Sequence, residues 1–405
     1  MTGVPAAVTG LGLVTPAGIG VPQSWAGICA GRGAGRTDAS LAPSPVQLVC
    51  RVPGFDAEAA LGAERARRTA RFGQFALTAT AEALADAGLD PATWDGTRVG
   101  MVLGNAMGGL DVCLPAQETM LSRGARAVSP LVLPQYLSNM AAGQTAIAHG
   151  ITGPCLTVST ACASGTSAIG VALDLLRAGR CDIVVAGGAE APLTALTATG
   201  FAQLGALSRA KDPRSASRPF DARRDGFVLA EGAGMLVLER EEHALARGAR
   251  VRARIAGHGE TADAHHMVAP HPEGLGLQRA MRGALADAGV SPSEVDHVNA
   301  HATGTPRGDA AEALALVKVF PHRPPVTSVK GVIGHSLGAA GAIEAVCSVL
   351  SIEHRTIPGT ANLHDTDPEI DLQLVRSTTS APVTTVVTHS VGFGGQNAAL
   401  VVTAP

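Results

Sequence analysis

The chain has 405 residues, 46% of them hydrophobic, only 16% charged and 3% aromatic, with a formal net charge of -3. That length exceeds what one hydrophobic core usually holds, so two fused core units or one large α/β assembly are expected. The composition excludes a disordered chain, and the absence of any basic block argues against a nucleic-acid partner.

The opening MTGVPAAVTGLGLVTP has no basic region followed by a long apolar stretch, so it is not expected to be a signal peptide. No run of about 18 apolar residues predicts a membrane span, and the cytoplasm is the expected location. The GLG at 10–12 is a poor dinucleotide fingerprint, because Thr15 stands where a third glycine is needed and Pro16 follows. Residues 71–87 predict an amphipathic helix and 99–103 a buried strand. The stretch 106–142 lacks clean periodicity and contains Pro115, Pro130 and Pro134, so an insertion or capping layer is expected there.

The segment VSTACASGTSAIG, Val158 to Gly170, carries the strongest local signal. A strand ends in small residues, and Cys162 stands at the start of a helix predicted over 167–178 and stopped by Gly179. Backbone N–H groups and the macrodipole at a helix start favour thiolate. Small neighbours (Ala161, Ala163, Ser164, Gly165) let a thioester approach the sulfur. A buried structural cysteine is the alternative on this segment alone. The other cysteines, Cys29, Cys50, Cys113, Cys155, Cys181 and Cys347, are widely spaced, and the odd total without CxxC pairs predicts neither a disulfide framework nor a zinc site. Strands follow at 183–186 and 235–238, separated by a polar loop at 208–224. EREEHALARGARV at 239–251 looks like a charged connector.

Beyond the connector, VNAHATGTPRGDAAE places His301 between a strand end and a hydroxyl-rich loop. SVKGVIGHSLGAAGAIEA sets Lys330 and His335 before a small-residue helix start; either alone fits an ordinary solvated or helix-end residue. THSVGFGGQNAAL carries Phe393 on a Gly-rich turn, with free backbone donors and a mobile apolar side chain, before a strand at 398–402. GHSLG also fits a GxSxG elbow at Ser336, with Asp365 or Asp367 and then His389 as partners for a serine hydrolase or acyltransferase. That alternative leaves TACASG, HATGT and GFGG unexplained.

An internal repeat is visible. EALADAGLDP, ending at Pro91, resembles GALADAGVSP, ending at Pro292, and EGAGMLVLE resembles GQNAALVVT. Two similar α/β halves, residues 1–250 and 251–405, are expected to face each other across an active site.

Taken together, TACASG, HATGT, SVKGVIGHSLGAAG and GFGGQN, in this order, with RPFDARRDGFVLAEGAGMLVLE and VTGLGLVTPAG, resemble the β-ketoacyl-acyl-carrier-protein synthases of the thiolase-like superfamily. The resemblance runs from about Val8 to Val402. It implies an α/β fold, a duplicated thiolase-like architecture layered α-β-α-β-α with two mixed sheets. The first half would carry the nucleophile and capping insertion, the second the catalytic His/Lys set and the Gly-rich gate.

It also implies an acyltransferase. Cys162 would take an acyl group; His301 and His335 would stabilise the enolate formed when malonyl carrier protein loses carbon dioxide. The N–H groups of Cys162 and Phe393 would form the oxyanion hole. Asp309 and Glu312 would hold Lys330, and Lys330 would tune the histidines. Thr303 and Thr305 would bind the pantetheine arm. Phe393 would gate the site, while Met107, Leu131, Val132 and Phe201 would line the acyl pocket. No bound cofactor or metal is implied; substrates would ride on the 4'-phosphopantetheine of acyl carrier protein. The expected partners are that carrier and a second subunit, as a homodimer or a heterodimer with a chain-length-factor-like relative, with no nucleic acid and no membrane. Chain-length factors lack the nucleophile, so Cys162, His301 and His335 mark a catalytic subunit.

Two departures bear on the pathway. The loop after His301 has PRGD where aromatic type II polyketide enzymes commonly have an Asn before the Asp, and HSVG precedes Phe393 where fatty-acid enzymes usually have NSFG. An atypical polyketide ketosynthase is therefore expected, with 3-oxoacyl-carrier-protein synthase II of fatty-acid synthesis as the alternative. Degradative thiolases use a second late cysteine, and Cys347 lies in an apolar helix-like run unsuited to that role.

Overall fold

The computed structural model describes residues 3–405. Ten strands position the site: β1 Ala6–Thr15, β2 Val99–Gly104, β3 Cys155–Val158, β4 Ile183–Glu190, β5 Gly232–Arg240, β6 Ala253–Ala262, β7 His297–Asn299, β8 Val326–Thr327, β9 Thr385–Gly392 and β10 Gln396–Thr403. The first five pair in the order β3-β2-β4-β5-β1 and the second five in the order β8-β7-β9-β10-β6. Each unit has two parallel pairings followed by two antiparallel ones. The repeat seen in the sequence is thus a repeat of topology. The units join edge to edge where Ala6, Ala7 and Val8 pair with Ile255, Arg254 and Ala253.

Even the irregularities are duplicated. The register of β1 against β5 shifts between Val8 and Gly10, and that of β6 against β10 shifts between Ile255 and Gly257. Glycines follow each bulge for a packing reason. A Cβ on Gly10 or Gly12 would lie about 2 Å from the carbonyl of Ala83 or Ala79, so helix α1 (Arg71–Asp86) can lie directly on β1 only because those side chains are missing. Gly257 and Gly259 do the same for helix α4 (Leu275–Ala288), whose Ala284 and Ala280 carbonyls approach them. The GLG motif is helix-on-strand packing.

The layers follow from which helices are apolar all round. Helices α3 (Ser164–Arg177) and α6 (Ala340–His354) are buried along most of their length and form the central layer with residues of both sheets. A helix without a polar face belongs inside a core. The segment Leu337–His354 has the length and composition to cross a bilayer, but 89% of it is buried within the protein. Outside the first sheet lie α1 and α2 (Met140–His149). Outside the second lie α4 and α5 (Pro306–Val319).

Two expectations shift. The stretch 106–142 contains a helix, Leu110–Arg123, that spans Pro115 and buries none of its residues. Without an apolar stripe it left no periodic trace. The polar loop 208–224 carries almost no regular structure, yet Phe220, Asp221 and Arg224 in it are buried, so it is packed into the body of the fold.

Candidate active site

Two turns related by the repeat carry the reactive groups. β3 leads through the tight turn Ala161–Ala163 into α3, and β8 leads through Lys330–Ile333 and Leu337–Ala339 into α6. Ala161 (φ 52) and Leu337 (φ 46) both take left-handed backbone angles. A non-glycine residue there costs about 1–3 kcal/mol and persists only where its surroundings enforce it. Here the enforcement is the meeting of the two helix starts. A Cβ on Gly165 would lie 2.8 Å from the Ala342 nitrogen, and one on Gly341 would lie 1.9 Å from Thr166 Oγ1.

A cavity of about 490 Å³ opens over these turns and is lined by Cys162, Phe201, His301, Thr303, Thr305, His335 and Phe393, among others. The structure therefore brings together residues from both halves. Cys162 is 8% exposed. Burial pushes its thiol up to about 12, against the opposing pull of Lys330 and of the backbone N–H groups of Phe393 and Cys162, which reach toward the sulfur. The expected resting thiolate is corrected by this geometry. Cys162 sits in the turn ahead of α3, and desolvation outweighs the helix start. Gly392 makes the approach of Phe393 feasible, since a Cβ there would sit 2.5 Å from the Thr160 carbonyl and 3.2 Å from the Cys162 nitrogen.

His301 lies two residues beyond β7, and His335 lies between the turns Lys330–Ile333 and Leu337–Ala339. Their rings lie 5.2 Å apart and perpendicular. Burial, then the Lys330 charge, hold both imidazoles well below their ordinary range, so both are neutral. Lys330 Nζ lies 3.4 Å from His301 Nδ1. An ammonium can only donate, so Nδ1 accepts and the proton of the neutral ring sits on Nε2. From the histidines a chain of rings reaches the gate: His335 to Phe227 at 5.2 Å, Phe227 to Phe201 at 5.2 Å, and Phe201 to Phe393 at 5.9 Å. Thr303 and Thr305 stand side by side at the cavity, their hydroxyls 3.2 Å apart.

The expectation for Lys330 is corrected. Its carboxylate partner is Glu344 of α6, with both side chains 1% exposed. Asp309 instead accepts from the N–H groups of Phe220 and Gly304, and Glu312 from the N–H of Ala302. These acids lie on the first turns of α5, which face back onto the loop after His301, whereas α6 runs behind Lys330. Burial pushes the carboxyls of Asp309 and Glu344 up to about 7, Lys330 opposing the shift at Glu344. Glu344 was missed because it is embedded in the apolar run GAIEAVCSVL. A lone carboxylate within a core helix was the available signal, since a buried charge needs a partner.

Glu190 was missed too. It is fully buried and accepts from the N–H groups of Ala106, Met107 and Gly338 and from the Asn105 amide. One carboxylate thereby ties the loop carrying Met107 to the turn after His335. Phe201 lines the cavity and Met107 does not, although both pack in the apolar cluster that includes Cys162. Leu131 and Val132 are not brought to the cavity. They are half-buried at the start of a short helix, Val132–Tyr136, that packs on its neighbours Leu110–Arg123 and α2 in the surface layer.

The elbow at Ser336 does not form a hydrolase triad. Ser336 is 1% exposed with no partner for its hydroxyl, His389 bonds Glu312, and Asp367 pairs with Arg224. Among the described residues no three His, Cys, Asp or Glu side chains are grouped to hold a metal ion.

Comparison with known proteins agrees with this architecture. The family "Beta-ketoacyl synthase, N-terminal domain" matches residues 4–244, and "Beta-ketoacyl synthase, C-terminal domain" matches residues 252–364. The 3-oxoacyl-[acyl-carrier-protein] synthase 2 of Staphylococcus aureus is 40% identical over 400 residues, covering 97% of this chain and 99% of the relative. That of Synechocystis is 41% identical over 406 residues, covering 97% and 96%. Among solved structures, the ishigamide ketosynthase/chain length factor superposes with a TM-score of 0.93 at 34% identity over the whole of both chains. A type II polyketide acyl-carrier protein in complex with its ketosynthase bound to the hexaketide gives 0.90 at 32% identity, again over the whole of both chains.

Proposed function

The chain belongs to the β-ketoacyl synthase family, and on that premise we propose that Cys162, His301, His335 and Lys330 carry out a decarboxylative condensation in type II polyketide assembly. The enzyme is an acyltransferase, an elongating β-ketoacyl synthase. The observation that supports these roles best is the convergence of a buried thiol, two neutral imidazoles and two backbone donors in one cavity.

In the first half-reaction the neutral Cys162 thiol attacks an acyl thioester brought by acyl carrier protein. Its proton passes through water to the departing carrier thiolate, and the N–H groups of Cys162 and Phe393 donate hydrogen bonds to the tetrahedral oxygen. The carrier thiol leaves with a proton. In the second, malonyl carrier protein places its thioester oxygen at His301 and His335. The bond to the terminal carboxylate breaks, carbon dioxide departs, and the electron pair becomes an enolate whose oxygen the two imidazoles hold. Donors fixed toward developing charge are commonly worth about 3 kcal/mol each. The enolate carbon attacks the acyl carbon on Cys162, the carbon–sulfur bond breaks, and the departing Cys162 thiolate is reprotonated from water. Lys330, anchored by Glu344, fixes the His301 tautomer. Thr303 and Thr305 hold the phosphopantetheine arm. Phe393 gates the passage to an acyl pocket bounded by Met107 and Phe201.

Acyl carrier protein is the delivering partner and no resident cofactor takes part. A second subunit, identical or chain-length-factor-like, is supported by the edge of the first sheet. β3 ends the strand order with one side unpaired, and Leu156, Leu133, Leu137 and Ile147 are exposed. Such an edge with an apolar surround invites pairing. The two halves, divided near residue 250, would act as one unit in this scheme.

Polyketide assembly is favoured by the solved ketosynthases that match over the entire chain. Fatty-acid elongation is the second reading, favoured by the higher identity of the 3-oxoacyl-[acyl-carrier-protein] synthase 2 relatives. Mass spectrometry of products from defined acyl- and malonyl-carrier proteins separates them. Repeated extension of unreduced intermediates, with the protein alone or with a partner subunit, supports polyketide assembly. Arrest after one condensation supports fatty-acid elongation.

A further inference from the structure

His389 is a buried ionisable side chain close to the histidine pair that the scheme above leaves idle. It lies on β9, opposite Ala399 of β10, with no exposed surface. Its Nε2 lies 2.5 Å from Glu312 Oε1. Glu312 Oε2 accepts the N–H of Ala302, the residue after His301, at 2.8 Å. One carboxylate thus links the strand that leads into the gate to the loop that carries His301. The other ring nitrogen, Nδ1, has no partner.

The charged groups around it can be counted from each side. α5 contributes Glu312 and Asp309, with Arg224 3.7 Å from Asp309. The turns before α6 contribute Lys330 and His335, and α6 contributes Glu344, paired with Lys330. The loop after β7 contributes His301. Arg224 is shared with Asp367, Lys330 is held by Glu344, and His389 is the side chain that bonds Glu312. Without that bond the Ala302 N–H is the hydrogen-bond partner left to the Glu312 carboxylate.

We propose that His389 is a positioning residue of the decarboxylation step, holding Glu312 against the Ala302 backbone so that the loop carrying His301 keeps its place while the enolate forms. The inference rests on the ketosynthase reading, so the parent enzyme must first decarboxylate malonyl carrier protein. Failure of that control refutes the ketosynthase reading itself.

The test compares the parent with H389Q, whose amide can still donate to Glu312, and with H389L, which cannot. All are checked for folding by circular dichroism and thermal melting. Carbon dioxide release and acyl loading of Cys162 are followed on the same samples. H389L is expected to lower the maximal decarboxylation rate about ten-fold, the size of a modest misplacement of a reacting group, and to leave loading within about three-fold. H389Q is expected to stay within about three-fold of the parent in both. Unchanged decarboxylation in folded H389L, equal loss of loading, or a loss in H389Q as large as in H389L would each overturn the proposal.

Discussion

Removing Glu344 tests whether Lys330 is held as the structure places it. Both side chains are 1% exposed, so the Glu344→Leu substitution strands an ammonium in the core. At ~3 Å and an effective dielectric of ~20 the lost attraction is about 5 kcal/mol. Measured losses on breaking one side of a buried pair run to about 3–5 kcal/mol, because the remaining charge is left uncompensated. Lys330→Met in the same background removes that charge, so the double variant is expected to regain at least half of the stability. Activity should not return with it, since His301 Nδ1 then has no donor and its tautomer is free to change. The assay is urea unfolding with the decarboxylation rate measured on the same samples. A single variant within about 0.5 kcal/mol of the parent, far below the cost of an unpaired buried charge, would show that Lys330 is held by something else.

Other outcomes follow from the same geometry. His301→Ala or His335→Ala should lower malonyl decarboxylation about 10²–10³-fold while acyl loading of Cys162 changes far less; unaltered decarboxylation in both would remove their assigned role. His297, fully buried and donating from Nδ1 to the Pro325 carbonyl, is held down at about 4 by burial. Its neutral form is favoured by folding, so this stability is present above pH 6.5 and lost as pH falls toward 4, by about 3 kcal/mol. His297→Asn keeps a donor and should flatten that part of the acid limb in pH-dependent unfolding. Met107→Trp should block long primers and spare short ones in a folded protein, whereas Val132→Phe, away from the cavity, should spare both; long-primer loss in the second variant alone would reverse this account of the pocket. Cys155 is exposed in the single chain but opens β3, the edge proposed to pair with a second subunit, so peptide mapping should find an acyl-like epoxide on Cys162, and a small alkylator on Cys155 only when the subunits are dissociated.

Much of the site was legible because its chemistry needs rare residues in small-residue settings. Cys162, His301, Lys330, His335 and Phe393 each stand at a strand end or turn that glycine and alanine make conspicuous. The duplication was legible for the same reason. EALADAG and GALADAG end α1 and α4, the equivalent helices of the two units, and GMLVLE and AALVVT are the equivalent strands β5 and β10. What escaped depends on contacts between segments far apart in the chain. Glu344 is fourteen residues from Lys330, and Glu190 reaches loops more than eighty residues away. No local pattern encodes such pairings. The ionisation of Cys162 escaped likewise, because the helix start is visible in sequence while the layers that desolvate the sulfur are not. Leu131 and Val132 sit in a segment whose helices bury little, so no periodic stripe assigned them a side.

The most direct measurement is intact-protein mass spectrometry of the parent and Cys162→Ala after incubation with acyl carrier protein bearing the acyl group, followed by addition of malonyl carrier protein. The account predicts that the parent gains the mass of one acyl group, mapped to Cys162, and loses it as the β-ketoacyl product appears on the carrier. Cys162→Ala should gain no acyl mass and form no product. Product formation by Cys162→Ala at the parent's rate, or an acyl group mapped to Ser336, would contradict it.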